Sequence, residues 1–465
     1  LKALPITWTV SSLHTVCDIV RGITFPASAK QFEKDELNIC CLRTSNIQRE
    51  IRWEDVYFIP RQYVKQDAQF VQIGDILMSM ANSYELVGKV AVARMLPYET
   101  AFGAFLSAIR PRDVIFGQYL FHFLRSDATQ HEIRVGSSQT TNIANISVRT
   151  LSTVKIPLPS LNEQKRIADK LDSILARVDA CRERLDRIPA ILKRFRQAVL
   201  AAATSGKLTE EWRNETGNDN PWRTVRLAEI AHIQGGVTKD SKKQSLNDEE
   251  VPYLRVANVQ RGYLDLGDMK IIRIPTTKLN TLLLEPGDIL FNEGGDIDKL
   301  GRGWIWEGQI ERCSFQNHVF RARLYDKKNQ PKYISWWGNY RGLNYFLRSG
   351  KQTTNLASIN KSMLSELPIN LPSSEEQTEI VRRVEELFAY ADRIEARYHA
   401  ARARVDKLTP AILAKAFRGE LVPQNPDDEP ASVLLDRIQA SRAKIEATLK
   451  PKRSRNKAIS ATDRN

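Results

Sequence analysis

The chain has 465 residues, more than a single hydrophobic core usually organises, so two or three domains are expected. Hydrophobic residues at 42% and charged residues at 27% exclude a disordered or collagen-like chain, while 69 Lys plus Arg against 55 Asp plus Glu leave a formal charge of +14 that favours polyanionic partners. The five cysteines (Cys17, Cys40, Cys41, Cys181, Cys313) form no C-x-x-C pair, the six histidines are scattered, and no apolar run could span a bilayer; a soluble, cytoplasmic chain with no metal is expected.

Read in chain order, the sequence is written twice. Residues 1–155 hold short β-branched and aromatic runs broken by turn residues, as at 87–93, and predict a mixed α/β globule. Its segments return later: Gly74-Asp75-Ile76-Leu77 as Gly287-Asp288-Ile289-Leu290, and Gln139-Thr140-Thr141-Asn142 as Gln352-Thr353-Thr354-Asn355, both at an offset of 213. Leu42-Arg43-Thr44-Ser45-Asn46-Ile47 returns as Leu254-Arg255-Val256-Ala257-Asn258-Val259, and Gly22-Ile23-Thr24 as Gly236-Val237-Thr238, at offsets drifting to 212 and 214.

The next segment, 156–210, opens with Pro159-Ser160 and Glu163, the pattern of a capping box that starts a helix. Apolar residues at Ile167, Leu171, Ile174, Val178, Cys181 and Leu185 then alternate steps of four and three, the seam of a coiled coil. Pro189 is expected to end or kink this rod, with a further helix over 190–205 closed by Gly206. A second globule occupies 211–366 and a second spacer 367–422, where Ser373 and Glu376 repeat the box and Ile380, Val384, Leu387, Ile394, Tyr398 and Val405 repeat the seam. Packing of each rod on its own globule is the plainer alternative, but two matching rods of about 40–50 Å favour pairing with each other. Beyond Gly419, a linker over 423–430, helical spacing over 431–449 and a basic tail over 450–465 complete the C-terminal segment 423–465.

The repeated Leu158-Pro159-Ser160-Leu161-Asn162-Glu163-Gln164 and Leu371-Pro372-Ser373-Ser374-Glu375-Glu376-Gln377, each followed by a heptad helix and a small-apolar stretch ending in Gly-Lys-Leu or Gly-Glu-Leu, resemble the specificity subunits of type I restriction-modification systems, in the K-type (IA) branch. The resemblance covers nearly the whole chain and is strongest in the helical segments. It implies an α+β fold in which two α/β target recognition domains, duplicated about a pseudo-twofold axis, are separated by two long antiparallel helices forming a coiled coil. It further implies a non-catalytic subunit that reads a bipartite sequence in double-stranded DNA and positions two modification (methyltransferase) subunits and two restriction (translocase and nuclease) subunits. S-adenosylmethionine, ATP and Mg are then expected on those partners and no cofactor on this chain. A pair of half-sites held about one helical turn apart suits such an arrangement, with the helices as a ruler.

Polar residues recurring in the globules are the candidate DNA contacts. Arg43, Thr44 and Asn46, mirrored by Arg255 and Asn258, carry the side chains that address guanine or adenine edges or hold phosphate, or else satisfy a strand end by their own turn. Gly22 and Thr24, with Gly236 and Thr238, allow close backbone approach to DNA or simply a turn. Ser79, Asn82, Ser83 and Tyr84 stand opposite Asn292, Gly295 and Asp296, where divergence is suited to different half-sites; Gln139, Thr140, Thr141 and Asn142, with Gln352, Thr353, Thr354 and Asn355, are candidate phosphate contacts. No Asn-Pro-Pro-aromatic motif, glycine-rich cofactor loop or G-x-x-x-x-G-K-[ST] loop is present, so neither methylation nor ATP-driven translocation is expected of the chain itself. The rival readings are a methylation-only assembly and a protein-binding coiled-coil scaffold without DNA.

Overall fold

The computed structural model describes residues 4–140, 143–218, 220–238, 248–295, 300–349, 351–352, 357–437 and 439–440. The basic tail over 450–465 lies outside them. The chain divides into two compact units, Leu1–Arg184 with Ala401–Asn465, and Leu185–Ala400.

In the first unit an antiparallel sheet orders Cys17–Arg21, Leu106–Pro111, Ile76–Ser79 and Val90–Val92. A second sheet orders Tyr57–Pro60, Asn38–Leu42 and Thr100–Phe102, its first pair antiparallel and its second parallel. The central strand Ile76–Ser79 is buried on both faces, because successive side chains of a strand point to opposite sides. Ile76 and Met78 enter one hydrophobic cluster with the helices, whereas Leu77 enters another with Cys40, Leu42 and Phe102.

The second unit repeats this build strand for strand. Ala231–Gly235, Val319–Leu324, Ile289–Asn292 and Gly303–Ile305 form its four-stranded sheet, and Lys270–Ile274, Glu249–Leu254 and Ser314–Phe315 its three-stranded one, the last pair again parallel. Ile289 and Phe291 face one cluster and Leu290 another, as their counterparts do. The shared Gly-Asp-Ile-Leu segment owes its recurrence to a buried clamp. Gly74 and Gly287 turn the chain at φ of 93° and 98°, and the aspartates that follow receive bidentate guanidinium bonds, Asp75 from Arg110 and Asp288 from Arg323.

The Glu-Gln pairs at the helix starts also have structural duties. Ser160 and Ser373 accept the amides of Glu163 (3.0 Å) and Glu376 (3.3 Å), so one half of each expected capping box forms. The glutamates themselves reach elsewhere: Glu376 accepts from Thr209 Oγ1 (2.7 Å), Arg213 Nη1 and Trp222 Nε1 (2.9 Å), and Glu163 accepts from Gln424 Nε2 (2.6 Å). Each buried carboxylate thereby ties down the chain segment that leaves a long helix, Glu376 through three donors and Glu163 through one. Gln164 and Gln377 accept the amides of Phe116 and Gln330, both at 2.8 Å, fixing the approach to the helices Gly117–Leu124 and Pro331–Trp337.

The spacer helices run over Leu161–Asp186, Ile188–Ala203 and Ser374–Ala416. Pro189 stands in the first turn of its helix, where its missing N–H costs nothing, and a break at Arg187 precedes it. Pro410, by contrast, lies inside an uninterrupted helix. In the first unit Arg182 bonds Asp406 while Leu171 and Leu175 share a core with Leu413 and Ala416, so the two helical segments run antiparallel there. In the second unit Arg196 bonds Asp392 (2.6 Å) and Glu395 (2.7 Å) while Arg383 bonds the carbonyl of Leu208, again antiparallel.

Of the seam positions, Ile167, Leu171, Val178, Ile380 and Val384 are buried, and Ile174, Leu185, Leu387, Ile394, Tyr398 and Val405 are half-buried. Cys181 is exposed, which corrects its place in the seam; Leu175, outside the heptad pattern, is buried instead. The reason is that Ile167, Leu171 and Leu175 pack on the sheet and helices of their own unit, following the 3.6-residue period of a straight helix rather than the 3.5 of a supercoil.

Candidate nucleic-acid interface

The recurring Arg-x-x-Asn segments make the same i to i+3 turn in both units, Asn46 N to the carbonyl of Arg43 (3.0 Å) and Asn258 N to that of Arg255 (2.8 Å), and their side-chain amides are spent on it. Asn46, 1% exposed, accepts the amide of Arg43 (3.0 Å) and donates to the carbonyls of Arg52 (3.1 Å) and Asp55 (2.9 Å). Asn258, 3% exposed, accepts the amide of Arg255 (2.9 Å) and donates to those of Asp265 (2.8 Å) and Asp268 (3.1 Å). Arg43 and Arg255 close the same loop by binding Asp55 and Asp268. This corrects the expectation that Asn46 and Asn258 address a base: both ends of each amide are occupied, and swinging it outward would forfeit three bonds to the backbone of its loop. Thr44 lies in the turn, half-buried.

The paired glycines are also explained within the chain. A Cβ on Gly22 would stand 2.2 Å from the carbonyl oxygen of Gly103, and one on Gly236 2.0 Å from that of Phe315, so the close approach they permit is to their own neighbouring strand rather than to DNA. Thr24 and Thr238 beside them are exposed. Ser79 and Asn292 are fully buried; Asn292 donates to the carbonyls of Val256 and Val259. Their divergence therefore alters packing, not a surface.

The other exposed candidates gather on and beside a small three-stranded sheet beyond the central strand. In the first unit it orders Ser138–Gln139, Ala144–Asn145 and Ala81–Asn82, which brings together Asn82, Gln139 and Asn145, with Ser83, Tyr84 and Thr140 exposed in the adjoining loops. Asn82 donates to Ser79 Oγ and accepts the amide of Ser83. In the second unit the sheet orders Lys351–Gln352, Ala357–Ser358 and Gly294–Gly295. Thr141, Asn142, Asp296, Thr353, Thr354 and Asn355 lie outside the described residues.

Beside this sheet in the second unit, Val256, Glu293, Gly294, His318 and Ser358 line a depression of about 280 Å³. His318 Nδ1 and Glu293 Oε2 are 2.5 Å apart. The corresponding place in the first unit carries Phe105, 67% exposed.

The repeat also places cations that sequence patterns alone did not single out. Arg49 and Arg261 correspond, as do Lys89 and Arg302. Lys89 donates to Gln48 Oε1 (2.7 Å), and burial together with the nearby Arg52 charge holds its ammonium below the usual lysine range. Burial, then the Arg49 charge, likewise lowers Arg125. Basic side chains that recur at matching positions of the two units suit phosphate. Aligning the two halves at offsets of 212 for Arg49 and 213 for Lys89, and asking which basic positions recur, would have found these pairs. Among the described residues no group of three or more His, Cys, Asp or Glu is arranged to hold a metal, and no helix is long and apolar enough to cross a membrane.

Comparison with known proteins agrees with this duplicated build. The family described as "Type I restriction modification DNA specificity domain" matches the chain twice, over residues 5–190 and 219–400. The type I restriction enzyme EcoKI specificity subunit of Escherichia coli (strain K12) is 36% identical over 455 residues, covering 95% of this chain and 96% of its own length. The StySPI specificity subunit of Salmonella potsdam is 38% identical over 454 residues with the same coverage. The fold is shared with the HsdS subunit from Thermoanaerobacter tengcongensis (TM-score 0.58, 20% identity, 90% of this chain and 98% of that one). It is shared too with a chain from a study of complex assembly and conformational transition of the type I R-M system (TM-score 0.63, 19% identity, 90% and 100%). The chain belongs to the type I restriction-modification DNA specificity family.

Proposed function

We propose that this chain is the DNA sequence-recognition subunit of a type I restriction-modification assembly, reading a bipartite target with one half-site to each unit. The observation that carries the reading is the duplication itself. Sheet order, strand direction and the Asp75–Arg110 and Asp288–Arg323 clamps recur exchanged for one another, while the exposed side chains beside the small sheets differ. Two modules with one scaffold and two surfaces suit two different half-sites.

The chain contributes recognition; the chemistry belongs to the modification and restriction subunits it assembles with. Two of each, in the cytoplasm, complete the complex, and S-adenosylmethionine, ATP and Mg act on those subunits, with the target adenine flipped out of the duplex for methylation. A methylation-only assembly uses the same chain without restriction subunits, and co-purification from the native host separates the two.

The test is exchange of residues 1–155 for the same region of a relative, with the methylated motif mapped by sequencing. One half-site is expected to change and the other to persist. Simultaneous change of both, or absence of salt-sensitive DNA binding by the complex, refutes the reading.

A further inference from the structure

The position held by Phe105 in the first unit and His318 in the second has one backbone and two chemistries. In the first unit the amide of Met80 donates to the carbonyl of Phe105 (2.8 Å), and the carbonyl of Met80 accepts from Ile146 (2.8 Å). In the second the amide of Glu293 donates to the carbonyl of His318 (2.9 Å), and the carbonyl of Glu293 accepts from Ile359 (2.7 Å). Met80 and Glu293 thus bridge the four-stranded sheet and the small sheet in the same way twice, and each holds its neighbour, Phe105 or His318, through that neighbour's carbonyl. Its side chain stays out in solvent: Phe105 is 67% exposed and the His318 side chain 55%. An aromatic ring left that far out in solvent adds little to folding by burial.

The neighbours have diverged in step. Met80 beneath Phe105 is buried and apolar, whereas Glu293 is partly exposed and bonded to His318 Nδ1. Thr44, Ala81 and Asn145 around the first position become Val256, Gly294 and Ser358 around the second, where they line the depression with His318 and Glu293. With Glu293 Oε2 holding His318 Nδ1 and Asn317 Nδ2 3.4 Å from His318 Nε2, the second oxygen of Glu293 is left as an acceptor for an incoming amine donor, beside an imidazole nitrogen held only at long range, while a bare phenyl ring offers only apolar contact.

We propose that this paired position reads a base in each half-site, Phe105 packing on the 5-methyl group of a thymine and the His318–Glu293 pair accepting from the exocyclic amine of a cytosine or adenine. The inference rests on the recognition role proposed above. Rigid backbone support with interchangeable chemistry is what a base-reading position requires, since the contact must be held in place to discriminate and must vary for the sequence to vary.

The test maps methylated motifs in cells carrying the complete assembly with Phe105→His, Phe105→Leu, or the double substitution His318→Phe with Glu293→Met. Phe105→His is expected to relax or change the base at one position of one half-site, with at least about a tenfold change in preference there. The double substitution is expected to do the same in the other half-site only. Phe105→Leu keeps an apolar contact and is expected to retain the motif.

Motifs unchanged at every position in Phe105→His and in the double variant, with methylation still present, overturn the proposal. Uniform loss of affinity without a change of motif overturns it as well, since that is the behaviour of a phosphate contact. A wild-type assembly that yields no bipartite motif refutes the recognition role itself, a different result from either. Co-purification with the modification subunit verifies folding of each variant. Should Phe105→His fail to fold, Phe105→Gln supplies the polar arm; should the double variant fail, His318→Gln alone does so.

Discussion

Replacing Asn258 with alanine separates a turn staple from a base reader. The side chain makes three bonds to backbone groups, all inside the loop that runs to Asp268, and is 3% exposed. At roughly 1 kcal/mol net for each such bond, the loss is about 3 kcal/mol. Since 1.4 kcal/mol is a factor of ten, local opening of the loop should become about 100-fold more frequent. Hydrogen–deuterium exchange of peptides covering 254–269 in the purified protein reads this directly, as faster exchange there with the central strand Ile289–Asn292 unchanged. Asn46→Ala should do the same over 42–56, because its three bonds match in kind and length. Exchange that stays at the wild-type rate, combined with loss of one base from the methylated motif, would refute the structural duty and restore a DNA contact.

Burial holds the His122 ring down to about 4 despite its bond to Asp172, so between pH 6.5 and 4 the unfolded chain binds a proton that the folded ring does not. Stability of the first unit should therefore fall as pH drops through that window, by on the order of 3 kcal/mol, and denaturant titrations of His122→Gln should show a shallower slope. Glu376→Ala strips Thr209, Arg213 and Trp222 of a shared buried partner and is expected to cost on the order of 3–5 kcal/mol by thermal unfolding. Maleimide labelling of the folded chain should modify Cys181 and spare Cys17, Cys41 and Cys313, whose thiols burial pushes up to about 12, and Cys40, pushed up to about 11. Gly22→Ala and Gly236→Ala place a methyl within contact-breaking distance of a backbone carbonyl and should lower the yield of soluble protein, measured against Gly267→Ala, whose nearest neighbour is a side-chain oxygen at 3.4 Å.

The duplication, the helix starts at Ser160 and Ser373, the break near Pro189 and the family resemblance were all legible in the sequence, because each depends on residues close in the chain or on a constant offset between copies. Recurrence, however, says only that both copies need a residue, and not for what. Asn46 and Asn258, and Gly22 and Gly236, recur because two identical backbones require the same turn and the same close strand approach, a constraint that appears only when the carbonyls they serve are brought to them by the fold.

The exposed face follows the opposite rule. Phe105 and His318 share a backbone position but no chemistry, so a search for repeated residues passes over them. Tertiary structure decided which polar residues turn inward, since hydrogen-bond partners come from strands distant in sequence. It decided also that Leu175 rather than Cys181 is covered, since the helix must follow the surface of its own sheet before it can follow another helix.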